Sequence, residues 1–145
     1  CRGAGGVPSI SSGWGSCNPN NIKNQRLRSS IYIEINDTKI LIDASPDLRE
    51  QFLNARITAI DAVIFTHGHA DHSHGISELR EVNRVINGPL DIWGDKNTLE
   101  ELNKRYNYAF EGLSPGESIY KPWLIPNIVY PPNEFKINDI SEIDE

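Results

Sequence analysis

Hydrophobic and polar positions alternate twice between residues 30 and 43. Ser30-Ile31-Tyr32-Ile33-Glu34-Ile35 is alternating and β-branched. Lys39-Ile40-Leu41-Ile42-Asp43 repeats the pattern after Asn36-Asp37, so the two runs predict a hairpin. Beyond them the period lengthens. Pro46 and Asp47 start a predicted helix with Leu48, Phe52 and Leu53 on one stripe. Asp61-Ala62-Val63-Ile64-Phe65-Thr66 is short and almost wholly apolar, as a strand covered on both faces is. A helix follows from Ile76 to about Val85, closed by Asn87-Gly88-Pro89. Leu90 to Trp93 predicts another strand. Asp95 to about Tyr106 predicts another helix, with Asp95 or Asn97 as its cap and Leu99 and Leu102 turned inward. Past Gly112 the pattern weakens: Trp123 to Tyr130 predicts a strand broken by Pro126, and Phe135-Lys136-Ile137 begins one more. Residues 3–20, rich in Gly, Ser, Asn and Pro, predict a loop. Strands alternating with helices, without an internal repeat, predict an α/β or layered α+β domain.

Composition narrows the class. With 145 residues there is room for one domain at most. Hydrophobic residues make up 38% and charged residues 23%, which excludes a disordered polyelectrolyte and a fibrous repeat. No apolar run approaches the ~18 residues of a membrane span. The net charge of −6 is uneven: Arg2, Lys23, Arg26 and Arg28 have no acidic neighbour within residues 1–28, whereas residues 134–145 hold five acids against Lys136. The acidic balance argues against a general nucleic-acid surface, which must neutralise phosphates. Cys1 and Cys17 are the two cysteines. One pair is not a disulfide framework, and with no signal-peptide pattern it fits a reducing cytoplasm. The chain begins at Cys1, contains no methionine and stops on the polar run Ser141 to Glu145. It therefore reads as a single partial domain, residues 1–145 of something longer.

The informative segment is Thr66-His67-Gly68-His69-Ala70-Asp71-His72-Ser73-His74-Gly75. All four histidines of the chain lie within it, directly after the buried strand. Imidazole and carboxylate together suit Zn²⁺, Mn²⁺ or Fe²⁺. A strand end in an α/β fold is a rigid mount for such ligands. Gly68, Ala70 and Gly75 keep the intervening positions small, so the backbone can turn tightly. The plain alternative, a solvated loop that happens to be rich in histidine, does not account for the agreement of motif, strand and flanks.

The spacing His-x-His-x-Asp-His resembles that of the metallo-β-lactamase superfamily of metal-dependent hydrolases. The resemblance continues in Gly3-Ala4-Gly5-Gly6-Val7-Pro8, in Ile40-Leu41-Ile42-Asp43, in Pro46-Asp47-Leu48-Arg49, in Asp61-Ala62-Val63, and in Gly75-Ile76 with Leu79-Arg80. These segments are similar to the phosphodiesterase-like branch, which includes the carbon–phosphorus-lyase accessory cyclic phosphodiesterase and relatives of the tRNA-processing endonuclease. The likeness runs to about residue 110. It implies half of an αβ/βα sandwich, a mixed sheet with flanking helices. It implies that His67 and His69 ligate one metal ion, and Asp71 and His72 a second. Zinc is the first expectation, with manganese or iron as alternatives. It further implies that Asp71 orients an attacking hydroxide, since coordination lowers the pKa of water from ~15.7 to about 7. Asp43 would stand behind a ligand histidine and fix its tautomer. The implied substrate is a phosphodiester, small or nucleotide-like, with no membrane partner and a second copy of the chain as a candidate partner. Carboxylic esters, thioesters and lactones are the alternative substrates, and a metal carrier or assembly factor is the non-catalytic alternative.

The sequence departs from that pattern in two places. The superfamily site uses a further His, a bridging Asp and a last His, and no His follows His74. Four of seven ligands are thus expected here, and little activity from the 145 residues alone. Some relatives carry a Cys-rich zinc site near the first hairpin, and Cys17 alone does not make one. His74 falls outside the ligand spacing and reads as a residue behind the ligands or on the surface. Lys23, Arg26 and Arg28 offer a phosphate contact or, more simply, a solvated loop. Gly5 and Gly6 offer an anion cradle or a plain turn. Cys17 reads as a loop residue, and Trp14, Trp93 and Trp123 as packing residues. The acidic C-terminal stretch reads as solvated surface or the start of a loop.

Overall fold

A computed structural model of the chain describes residues 3–138 and 140–142. Its first two strands, β1 (Ile31–Ile35) and β2 (Thr38–Ile42), form the hairpin with Ile33 opposite Ile40. The turn is tight because Asn36 and Asp37 both take positive φ, 48° and 67°, a conformation Asn and Asp tolerate better than most residues. Four further elements extend the sheet by crossover: α1 (Leu48–Ala55), β3 (Ala62–Ile64), α3 (Leu79–Ile86) and β4 (Leu90–Gly94). A single helical turn, α2 (Ala70–Ser73), lies between β3 and α3. Helix α4 (Lys96–Arg105) then leads to β5 (Leu124–Ile128). The sheet order is β1-β2-β3-β4-β5, with only the hairpin antiparallel. Strands β6 (Phe135–Ile137) and β7 (Ile140–Glu142) make a separate two-stranded ribbon. No helix of the described residues is long and apolar enough to cross a membrane.

The helices share one face of the sheet. Leu48 and Phe52 of α1, Leu79 and Val82 of α3, and Leu99 and Leu102 of α4 join Leu41, Val63, Leu90, Ile92 and Leu124 in one buried cluster. Burial of each such side chain contributes about 1.5–3 kcal/mol. The opposite face carries a smaller cluster of Ile40, Ala62 and Ile137, with Trp93 stacked on Phe135 at 5.0 Å. This is why β3 is apolar in every position: both of its faces are covered.

Helix α4 settles which residue caps it. Asp95 accepts the Thr98 N–H at 2.7 Å, so the cap is Asp95 and Asn97 lies inside the helix. Three expectations need correction. Leu53 is 62% exposed, because α1 turns only Leu48 and Phe52 to the sheet. Leu53 instead lines a cavity of about 480 Å³ between α1 and α3. Pro126 does not break its strand. The ladder uses the Trp123 carbonyl and the Val129 N–H, so alternate residues bond inward and Pro126 turns its nitrogen to the open edge. Of the two readings of the acidic C-terminal stretch, the start of a loop gives way at Ile140–Glu142, which pairs with β6, while residues 139 and 143–145 lie outside the described ones.

Candidate metal centre

The histidine segment leaves the C-terminal end of β3 beside the C-terminal end of β2, the edge where open parallel sheets gather their ligands. Asp43, the first residue past β2, is 4% exposed and has φ of 65°. That backbone conformation is uncommon outside glycine and aims the carboxylate across to the neighbouring strand end. Asp43 Oδ1 accepts the Thr66 backbone N–H at 2.8 Å. Its Oδ2 accepts the Thr66 hydroxyl at 2.7 Å and is 2.7 Å from His72 Nδ1. A carboxylate can only accept, so His72 carries a hydrogen on Nδ1, and in the neutral ring the lone pair is then on Nε2.

The backbone of the segment is fastened from several sides. Buried Ser73 donates its one hydroxyl hydrogen to the His69 carbonyl at 2.9 Å, with the Gly68 carbonyl at 3.2 Å as a second, shared acceptor. Arg105, from α4, donates to the same Gly68 carbonyl and pairs with Glu101. The Ala44 N–H bonds the His72 carbonyl at 2.9 Å, and the Gly75 N–H returns to the Ala44 carbonyl at 2.9 Å. Gly75 must be glycine, because a Cβ there would overlap the Ser45 carbonyl and come within 3.0 Å of the Ala44 oxygen.

This frame brings the expected ligands together in pairs. The His67 ring lies 4.5 Å from that of His69 and 4.3 Å from that of His72, centroid to centroid. His72 Nε2 is 3.2 Å from Asp71 Oδ2. A neutral His72 with its hydrogen on Nδ1 presents a lone pair there beside the carboxylate, a pair of donor atoms that one cation can take together, whereas a His72 protonated on both nitrogens pairs with Asp71 directly. The donor set fits a divalent cation of borderline softness. Among the described residues Asp43, His67 and His72 form a trio that could hold a metal ion, each offering an atom within 4.8 Å of the others. Asp43 already accepts three hydrogen bonds, so we regard it as the holder of His72 and not as a ligand of equal rank. His74 is exposed and is not part of this trio, and its ring lies edge-on to Tyr106 at 6.0 Å. Burial raises the Tyr106 phenol above its ordinary range, which keeps it neutral.

The basic loop residues separate. Arg28 is committed to Asp47, donating Nε to Oδ2 at 2.6 Å and Nη2 to Oδ1 at 2.8 Å, with its backbone N–H on Oδ2 at 2.7 Å. The paired guanidinium holds the Asp47 carboxyl below the usual range, and that pairing raises Arg28 in turn, with nearby Asp71 adding to it. Gln51 locks the same strap by donating to the Arg28 carbonyl at 2.6 Å, while Ser45 donates to the Gln51 side chain at 2.8 Å. Arg26 is exposed and bonds Val7 through its backbone, beside a cleft of about 260 Å³ that Gly5, Gly6 and Asp47 also line. Gly6 has φ of 73° and sits against the Arg26 carbonyl, so its conformation serves that close approach. Lys23 and Cys17 are exposed.

Sequence reasoning gave no role to Thr66, Ser73 or Arg105. Thr66 stands next to His67 and was legible as a neighbour with a hydroxyl. Arg105 is 37 residues from Gly68, and no local pattern marks it.

The model for the family described as Beta-lactamase superfamily domain matches residues 38–124, from β2 through the histidine segment to β5. The chain belongs to the beta-lactamase superfamily. Among curated relatives, an octanoyltransferase of Porphyromonas gingivalis is 35% identical over 119 residues, 80% of this chain and 24% of that protein. A coenzyme PQQ synthesis protein B of Methylobacterium radiotolerans is 30% identical over 107 residues, 67% of this chain and 33% of that protein. A solved diphosphatase from the PhnP family superposes with a TM-score of 0.80 at 27% identity, over 97% of this chain and 51% of that one. Zinc-bound PqqB from Methylobacterium extorquens, at 20% identity and a TM-score of 0.65 over 92% of this chain and 45% of that one, shares the fold. The chain thus spans a quarter to a third of these curated relatives and about half of these superfamily structures. The mixed sheet with helices on one face is the metallo-β-lactamase fold seen in these neighbours.

Proposed function

We propose that the protein is a metal-dependent hydrolase of phosphodiesters, small or nucleotide-like, with His67 and His69 holding one divalent ion and Asp71 and His72 a second, zinc before manganese or iron. The observation that carries this is the facing of His72 Nε2 and Asp71 Oδ2 at 3.2 Å beside the paired rings of His67 and His69. Such ions lower the pKa of coordinated water toward neutrality and stabilise charge developing on a phosphoryl group. The chain's own residues fix the orientation. Asp43 keeps the lone pair of His72 pointed inward, Ser73 and Arg105 hold the carbonyls between the histidines, and Asp71 stands at the rim to orient an attacking water.

The likeness to the PhnP-family diphosphatase over almost the whole chain supports attack at phosphorus over acyl chemistry, and the phosphodiester is our choice within that class. A second reading, acyl chemistry on an ester or thioester, draws on the octanoyltransferase relative. Most of that protein lies outside the matched segment, so its name weighs less. A metal carrier remains the non-catalytic reading.

The test is a hydrolysis screen of the full-length, metal-reconstituted protein against chromogenic phosphodiesters, esters and thioesters, with His69→Ala alongside. Phosphodiester turnover that His69→Ala abolishes, together with lowered metal content, is the expected result. Turnover confined to esters or thioesters moves the protein to the second reading, and full activity in His69→Ala would sink the site assignment.

A further inference from the structure

Thr66 has one hydroxyl hydrogen and two partners for it. Its Oγ1 is 2.7 Å from Asp43 Oδ2 and 2.8 Å from His67 Nδ1. If the hydrogen went to His67, Oγ1 and the Asp43 oxygen would be two acceptors pressed together at 2.7 Å. The hydrogen therefore goes to Asp43, and the remaining lone pair of Oγ1 must accept from His67 Nδ1. The backbone N–H of Thr66 on Asp43 Oδ1 fixes the residue in place for this.

We propose that Thr66 is a positioning residue that relays the acceptor character of Asp43 to His67, fixing that ring with hydrogen on Nδ1 and a free lone pair on Nε2. One buried carboxylate then sets two histidines: His72 by direct contact, His67 through the intervening hydroxyl. The two rings, 4.3 Å apart, are given the same tautomer from the same oxygen. The inference rests on the metal-site reading above only for its purpose. The tautomer itself is a property of the metal-free protein.

The experiment follows the ring nitrogens of His67 by long-range ¹H–¹⁵N NMR in the metal-free full-length protein, above the pH range in which histidines titrate. Zinc affinity is measured in parallel by competition with a chelator. In the wild type His67 should show hydrogen on Nδ1. Thr66→Val, similar in shape but without the hydroxyl, should give a mixture of tautomers and about 10-fold weaker zinc binding. Thr66→Ser should restore both, which a merely space-filling role for the side chain would not require. A wild-type His67 with hydrogen on Nε2, or a Thr66→Val protein unchanged in tautomer or in zinc affinity, overturns the proposal. The wild-type measurement decides it even if Thr66→Val does not fold. Absence of zinc binding by a wild type that shows the Nδ1 tautomer overturns the metal reading and supports the relay.

Discussion

Asp43 Oδ2 lies 2.7 Å from His72 Nδ1, joining the end of strand β2 to helix α2 across 29 positions of sequence. The bond does more than connect two elements. It decides which nitrogen of His72 faces the site, and it does so from a residue almost sealed from water.

Asp43→Asn tests that dependence. The amide offers donors where Thr66 and His72 also donate, so the ring loses its fixed tautomer. Zinc affinity should fall by about 10- to 100-fold, the range seen when partners behind metal ligands are removed. Chelator competition measures it, and unchanged affinity would show that His72 needs no such holder.

The Arg28–Asp47 strap predicts a pH dependence. Asp47 titrates below the ordinary carboxylate range when folded, because Arg28 bonds its charged form. Its contribution is therefore complete above the unfolded value of about 3.9 and is lost as pH falls through the lower folded value. Asp47→Asn should cost about 2 kcal/mol near neutrality, as for hydrogen bonds to charged groups. Urea unfolding of both proteins should show the gap closing as pH drops below about 4. A gap independent of pH would mean that the pair contributes through shape and not charge.

Gly75→Ala and Gly68→Ala should differ. The Cβ of the first meets the Ser45 backbone, which cannot yield without moving the loop after β2. The second meets the exposed side chain of Glu101, which can swing away. Thermal unfolding should place Gly75→Ala about 1–3 kcal/mol below wild type, the usual penalty of overpacking, and Gly68→Ala above it. Equal losses would contradict the contact geometry.

The hairpin, the buried strand β3 and the helix capped at Asp95 were legible because each is written in local periodicity or in one polar residue at a fixed offset. The nearness of His67 to His69 and of Asp71 to His72 was legible for the same reason, four side chains within six residues. Asp43 could be suspected from its place at a strand end, but its three hydrogen bonds could not. They depend on a positive φ and on which strand lies next to which. Leu53 misled because a helix stripe says which residues share a side, not how wide the covered band is. Pro126 misled because the sequence does not say that its strand is an edge, where a missing N–H removes no bond. Ser73 and Arg105 act on backbone carbonyls, which no side-chain pattern reveals.

Pro126 has a consequence for how the molecule meets others of its kind. An exposed strand edge is a template on which another chain can polymerise. At the middle of β5 this edge presents a proline ring in place of a donor, so an incoming strand would find its ladder interrupted there. Among the described residues, the proline that looked like a flaw in the strand is thus what makes this edge a poor template for a further strand.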